Sequence, residues 1–299
     1  MQVRPLTRRL AFAQRYAREA VRNRKRNASQ PPAPAPHRPD PTSWPDDRVT
    51  LAWLGHSSLL LNFYGTWLLT DPALQPRIGV SLAGVTVGPK RLIRPALRAR
   101  ELPRPHGLLL SHAHMDHLDL PTLRQLPRST RTVSARGCAD LLGRFHDVEE
   151  LDWGGKTSIA GVRIEALPGK HWGARMMTDT WRGYCGFLLQ KNGRTIVFTG
   201  DTAYTGAFAP LRDRVQVDLA ILPIGAYDPW IANHANPEEA WSMGRQMGAE
   251  HVLPVHHSTF RLSREPMDEP IRRFVAAAGD ERWRVAVSEV GETWTLPEK

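Results

Sequence analysis

His112-Ala113-His114-Met115-Asp116-His117 puts three imidazoles and a carboxylate within six residues. They follow a short apolar run, 107–111, that reads as a buried strand. Neutral imidazole nitrogens and an ionised carboxylate are the donors that a borderline divalent cation such as zinc prefers. At the exit of a buried strand they are costly to hold together unless something binds them. A helix would place residues 112 and 116 on one face. In an irregular loop, His112 and His114 can turn to one side while Asp116 and His117 turn to the other, which suits two metal ions rather than one. A polar loop that happens to be rich in histidine accounts for one or two of these residues, not for this spacing after this strand.

Three further candidates sit where predicted strands run out. His171 follows 162–167 and the Pro168-Gly169 turn, Asp201 follows 195–199 and Gly200, and His256 follows 251–255. Loops converging at strand ends are how α/β architectures usually build sites. Two cations flanking one water would lower its pKa, hold a hydroxide as nucleophile and neutralise charge building on substrate oxygens. No serine or cysteine nucleophile is then needed, and none stands in a recognisable motif.

His-x-His-x-Asp-His after a buried strand resembles the signature of the metallo-β-lactamase fold superfamily of binuclear metallohydrolases. Trp53-Leu54-Gly55-His56-Ser57, Thr70-Asp71-Pro72, Gly88-Pro89-Lys90-Arg91, Glu101-Leu102-Pro103, Gly200-Asp201-Thr202, Ile224-Gly225-Ala226-Tyr227 and Pro237-Glu238-Glu239-Ala240 occur in that order. Together they resemble the N-acylphosphatidylethanolamine-hydrolysing phospholipase D group and its bacterial relatives, over roughly residues 49–295. The resemblance implies a four-layer αβ/βα sandwich. It also implies one metal on His112, His114 and His171, a second on Asp116, His117 and His256, and Asp201 as the bridging carboxylate. Zinc is the default for such donors, with manganese and iron as alternatives.

His256 and His257 compete for one seat. The phospholipase group usually has His-Trp-Gly-Thr-Phe where this chain has His256-His257-Ser258-Thr259-Phe260, which favours His256 as the ligand. His234 resembles a histidine that the group places near the metals, where it would protonate a leaving group or hydrogen-bond a phosphate; a histidine tied to a loop carbonyl is the plainer alternative. Asp116 and His234 are thus the candidate catalytic residues. His56 reads as orienting a ligand, and Arg175 as either meeting an anionic substrate or lying solvated. Trp172, Met176, Met177, Trp181, Tyr184, Tyr227 and Trp230 crowd the sequence around His171 and His234 and would suit an acyl chain, or simply a core.

The elements that must position these residues are hairpin-rich. Strands are predicted at 49–54, 58–63, 67–70, 107–111, 132–134, 156–159, 162–167, 186–190, 194–199, 219–223 and 251–255, with a long ordered loop over 71–106. A short helix is predicted at 120–126. Another opens at Asn236, with Pro237 in the first turn and Glu239 completing a capping box, and stops near Gly248. Strand groups alternating with helices indicate an α/β fold of two sheets face to face with helices outside.

With 299 residues and 41% hydrophobic composition, the chain can bury one large core. The expected division is an arm and Pro-rich linker over 1–45 and a hydrolase domain over 46–299. Two distant cysteines, Cys138 and Cys185, give no disulfide framework and indicate a reducing, cytoplasmic setting. Residues 1–26 carry nine cationic side chains against Glu19 alone, most of the net charge of +10. The near-neutral remainder argues against a nucleic-acid partner. Arg8-Arg9 is followed by no apolar stretch, so it does not read as an export signal. Helical spacing of Leu6, Leu10, Ala13, Ala17 and Val21 makes 5–26 a candidate helix for peripheral contact with an anionic membrane.

The expected activity is binuclear metal-dependent phosphodiester hydrolysis on an N-acyl phospholipid. The alternatives are a lactonase or ester hydrolase on a phosphorylated small molecule, and a non-catalytic metal protein that binds membrane or nucleic acid through its basic arm.

Overall fold

Alternating side chains in the strand runs give each sheet two faces, and both sheets bury at least one of them. The computed structural model describes residues 31–82, 85–176 and 178–298. The helix predicted at 5–26 and Met177 lie outside the described residues. In chain order the strands are β1 (Val49–Gly55), β2 (Ser58–Phe63), β3 (Thr66–Thr70), β4 (Val80–Leu82), β5 (Val85–Val87), β6 (Gly107–Leu110), β7 (Arg131–Ala135), β8 (Val148–Leu151), β9 (Lys156–Ile159), β10 (Val162–Leu167), β11 (Gly186–Lys191), β12 (Arg194–Phe198), β13 (Leu219–Pro223), β14 (His251–Val255) and β15 (Thr293–Thr295). The α-helices are α1 (Leu120–Leu123), α2 (Leu211–Arg214), α3 (Pro237–Gln246) and α4 (Glu269–Ala278).

One sheet runs β15-β1-β2-β3-β6-β7-β8 and the other β14-β13-β12-β11-β10-β9. Each is mixed: β3, β6, β7 and β8 are parallel in the first, and β12, β13 and β14 in the second. The period-2 pattern decides what each face meets. Phe187, Leu189, Ile196, Phe198, Ile221 and Leu253 point into the large core shared with Leu59, Leu61, Leu108 and Leu110 of the first sheet. Their neighbours Leu188, Val197, Ala220, Leu222 and Val252 point the other way, onto Trp241, Met243, Met247 and Phe274 of the helical layer. The result is the α/β sandwich that the sequence implies.

The predicted capping box is present. Asn236 Oδ1 accepts from Glu239 N at 2.9 Å, and Glu239 Oε2 accepts from Asn236 N at 3.0 Å. The helix it opens crosses between the parallel strands β13 and β14, packing Trp241 edge-on against Phe274 of α4. Six described strands and α-helices escape sequence patterning: β4, β5, β8, α2, β15 and α4. The 71–106 segment contains the β4–β5 hairpin. β8 carries Glu149 and Glu150, with Glu149 paired to Arg131 of the adjacent β7, so its charge hides a strand. β15 has three residues, and α4 shows only Ile271, Phe274 and Ala278 as an apolar stripe. The helix predicted at 120–126 is shorter, ending at Leu123.

Residues 31–45 contact the body and include a 3-10 turn at Pro41–Ser43 capped by Asp40. Ala33 forms a parallel bridge with Ile93, and Trp44 stacks on Trp67 with centroids 5.5 Å apart. Among the described residues, no helix is long and apolar enough to cross a membrane.

Candidate metal centre

Every sequence-predicted ligand lies just beyond the carboxyl end of a strand, and all converge on one place. From the first sheet come His112, His114, Asp116 and His117 after β6. From the second come His171 after β10, Asp201 after β12 and His256 after β14. Close approach fixes two glycines here. At Gly200 (φ +60°) a Cβ would stand 2.7 Å from Ser111 Cβ, and at Gly225 it would stand 2.2 Å from the His256 carbonyl oxygen. His56, Asp71 and His256 adopt left-handed backbone at φ 57°, 35° and 63°, local strain of the kind that packed surroundings sustain at functional sites.

The donors form overlapping groups: His112, His114 and His171; His56, Asp116, His117 and His256; Asp71, His112 and His117; and His171, Asp201 and His234. His114 Nδ1 lies 2.8 Å from His112 Nε2 and 3.3 Å from His171 Nε2. Asp201 Oδ2 stands 3.1 Å from His117 Nε2, 3.0 Å from His256 Nε2 and 3.9 Å from His171 Nε2. Four nitrogens at roughly 2.0–2.1 Å from a tetrahedral zinc would be about 3.4 Å apart, close to this spacing.

Proton placement tests whether these residues fit a cation. The single proton of Ser111 Oγ goes to Asp71 Oδ2 at 2.5 Å, so Ser111 Oγ accepts from His112 Nδ1–H at 2.9 Å. His117 Nδ1–H donates to Asp71 Oδ2 at 2.7 Å, and His171 Nδ1–H donates to the Asn233 carbonyl at 2.9 Å. In the neutral tautomer each of these rings turns its Nε2 lone pair inward. His117 Nε2, His256 Nε2 and Asp201 Oδ1 are buried and make no hydrogen bond. Inward lone pairs facing one another and a carboxylate repel unless positive charge lies between them. The donor set fits divalent cations.

Electrostatics agree. Burial holds His56 and His114 down at about 3 and His171 at about 4, and keeps His112 and His234 well below the ordinary imidazole value. Burial also opposes charge on His117 and His256, but the facing carboxylates of Asp201 and Asp116 outweigh it. His117 is raised well above the ordinary value and His256 to about 9. The same pairs keep Asp116 and Asp201 ionised despite burial. Positive charge is favoured between these groups, and a divalent cation there would displace the imidazolium protons.

His257 points elsewhere. Its ring packs on Trp53 at 4.5 Å and its Nδ1 meets Ser258 Oγ at 2.9 Å. His256→Ala is therefore expected to strip metal and activity far more than His257→Ala; metal content and turnover of the two variants give the ranking, and the reverse order would mean that the loop register is wrong. His56 Nε2 lies 2.9 Å from Asp116 Oδ2, placed to orient that carboxylate. His234 is buried with Nδ1 unbonded, 3.8 Å from Asp201 Oδ2. Trp172 packs against the rings of His114 and His171 at 4.6 and 4.4 Å. Met176 and Trp181 are exposed, and Tyr227 and Trp230 are buried.

Arg175 takes neither role considered for it. Its Nη1 donates to the carbonyls of Ala113 (2.9 Å) and Leu118 (2.7 Å), bracing the histidine loop from behind. Asp71 was visible only as part of Thr70-Asp71-Pro72. Because β3 and β6 are parallel neighbours, it lies beside Ser111 and accepts from Ser111 N at 2.7 Å as well as from Ser111 Oγ and His117. A carboxylate ending one parallel strand beside a histidine loop ending the next was the available signal.

Two packed mixed sheets with imidazoles and carboxylates at their carboxyl ends define a metallohydrolase scaffold, and residues 66–257 match the model of the β-lactamase superfamily domain. The chain belongs to this superfamily and is a metal-dependent hydrolase. It is 33% identical over 281 residues to an uncharacterized protein of Mycobacterium tuberculosis, covering 90% of this chain and 74% of that one. It is 32% identical over 266 residues to the mitochondrial N-acyl-phosphatidylethanolamine-hydrolyzing phospholipase D of Saccharomyces cerevisiae, covering 81% of this chain and 54% of that protein. An isothiocyanate hydrolase from Delia radicum gut bacteria shares the fold, with TM-score 0.68, 18% identity and coverage of 83% of this chain and 100% of the other.

Proposed function

We propose that the chain is a binuclear metal-dependent phosphodiesterase of phospholipase D type that acts on N-acyl phospholipids. The observation that supports the binuclear reading is Asp201 Oδ2, which stands within 3.1 Å of His117 and His256 and 3.9 Å from His171, and so touches donors assigned to both cations. The phospholipid reading is supported by the 32% identity to the yeast phospholipase D.

His112, His114 and His171 would hold one cation, Asp116, His117 and His256 the other, and Asp201 both. When bound, such a pair lowers the pKa of a water between the ions and offsets charge on phosphoryl oxygens. Asp116, oriented by His56, would hold that water's proton. His234 is kept neutral by burial, so hydrogen bonding to a phosphoryl oxygen suits it better than delivering a full proton. The Trp172 indole, set against His114 and His171, would exclude bulk water from one side.

Metal analysis of purified protein should give close to two ions per chain. The metal-loaded protein should hydrolyse a bis-aryl phosphodiester and N-acyl phosphatidylethanolamine, releasing phosphatidic acid, and leave lactones closed. A stoichiometry near one with all seven side chains intact would overturn the binuclear reading. Lactone opening without phosphodiester hydrolysis would overturn the substrate reading.

A further inference from the structure

The β4–β5 hairpin stands apart from both sheets and pairs with neither. Its register sets Val80 opposite Val87 and Ser81 opposite Thr86. Side chains alternate across a strand, so the valines share one face, while Ser81 Oγ and Thr86 Oγ1 meet at 2.8 Å on the other. Val80, Val85 and Val87 are 51%, 64% and 65% exposed. A bare two-stranded hairpin with an aliphatic face in water is marginal, and exposed apolar surface of this kind marks a contact site.

Charge and position say what covers it. From residue 72 to residue 100 there are six cationic side chains and no Asp or Glu. Arg77 and Arg94 are exposed at and beyond the hairpin base, with Lys90 half-buried opposite Arg77. The described chain begins at the same edge: Ala33 N donates to the Leu92 carbonyl at 2.7 Å and Arg94 N to the Ala33 carbonyl at 2.8 Å. The base is also close to the metal centre. Ile78 clusters with Ala73 and Phe260, and the Phe260 ring meets His56 edge-on at 5.2 Å.

We propose that the β4–β5 hairpin is the element through which this protein docks on an anionic phospholipid bilayer, with Val80, Val85 and Val87 entering the acyl boundary and the surrounding arginines meeting headgroup phosphates. An aliphatic face with exposed Arg77 and Arg94 at and beyond its base matches that interface, whereas a second copy of the chain would bring cation against cation. The inference rests on the phospholipid reading in that docking here would present substrate to the metal centre.

The test uses the full metal-loaded chain and vesicles of phosphatidylcholine with phosphatidylglycerol, which contain no N-acylated lipid, so binding is read independently of turnover. Replacing Val80, Val85 and Val87 together by Ser should weaken vesicle binding by about tenfold or more. Metal content and hydrolysis of a soluble bis-aryl phosphodiester should stay unchanged. As a second measurement, Val85→Cys carrying an environment-sensitive fluorophore should shift to the blue on these vesicles and not on pure phosphatidylcholine; Cys138 and Cys185 are buried and leave the label to the new thiol. Unchanged vesicle binding by the triple variant, or a label that stays in water, overturns the proposal. So does a wild-type dimer that the triple variant loses while its vesicle binding persists. Vesicle binding through the hairpin without any phosphodiester hydrolysis would leave the docking in place and remove the enzymatic reading alone.

Discussion

Asp201→Asn should abolish hydrolysis and release metal, with a loss beyond the roughly 10–100-fold typical of residues that merely support a ligand. Asp201 Oδ2 lies within 3.1 Å of two imidazole nitrogens and 3.9 Å from a third, and Oδ1 is buried without a hydrogen bond. An amide is almost the same size, so packing around Gly200 and Ser111 should survive. What it removes is the negative charge that two cations would share, and it turns an NH2 group toward His117 or His256. Metal analysis and turnover should fall together, and the metal-free protein should also lose thermal stability, because the amide no longer pairs with His117 and His256. Retention of both ions with near-normal turnover would rule Asp201 out as the shared ligand.

Asp71→Ala should act by a different route and cost the fold as well. Asp71 is fully buried and accepts three hydrogen bonds, from Ser111 N, Ser111 Oγ and His117 Nδ1. Truncation leaves all three donors without a partner, and removing one member of a buried pair of this kind costs about 3–5 kcal/mol. It also frees the His117 ring, and through Ser111 the His112 ring, to turn their Nε2 atoms away. Metal affinity should therefore fall about 10–100-fold even though Asp71 need not touch a metal. Thermal unfolding and a metal titration measure the two effects separately. Wild-type behaviour in both would mean that the Ser111–His117 brace is dispensable.

Much of this was legible because strands announce themselves by alternation and sites by composition. The histidine loop after 107–111, and His171, Asp201 and His256 after their strands, could be placed without coordinates because each is local to one strand end. The capping box at Asn236 was legible for the same reason, its two reciprocal bonds spanning four residues. What stayed hidden depends on neighbours distant in sequence. Asp71 acquires its role only because β3 and β6 lie side by side, and Arg175 because its guanidinium reaches back across more than fifty residues to the Ala113 carbonyl. The β4–β5 hairpin was read as loop because Gly, Pro and Arg dominate its surroundings. Its alternation is only three residues long on each strand.

The candidate metal donors come from both sheets. His112, His114, Asp116 and His117 hang from the first, and His171, Asp201 and His256 from the second, so the centre straddles the seam between two halves of the chain. Cations held there would act as a clamp, and their binding free energy would add to the cohesion of the halves by mass action. Linkage runs both ways. A slide of one sheet across the other, such as a cavity at Phe198 or Leu110 would permit, changes donor spacing without touching any ligand. Metal affinity would thus be a sensitive gauge of packing in the shared core, and chelation should loosen the two halves at the site end.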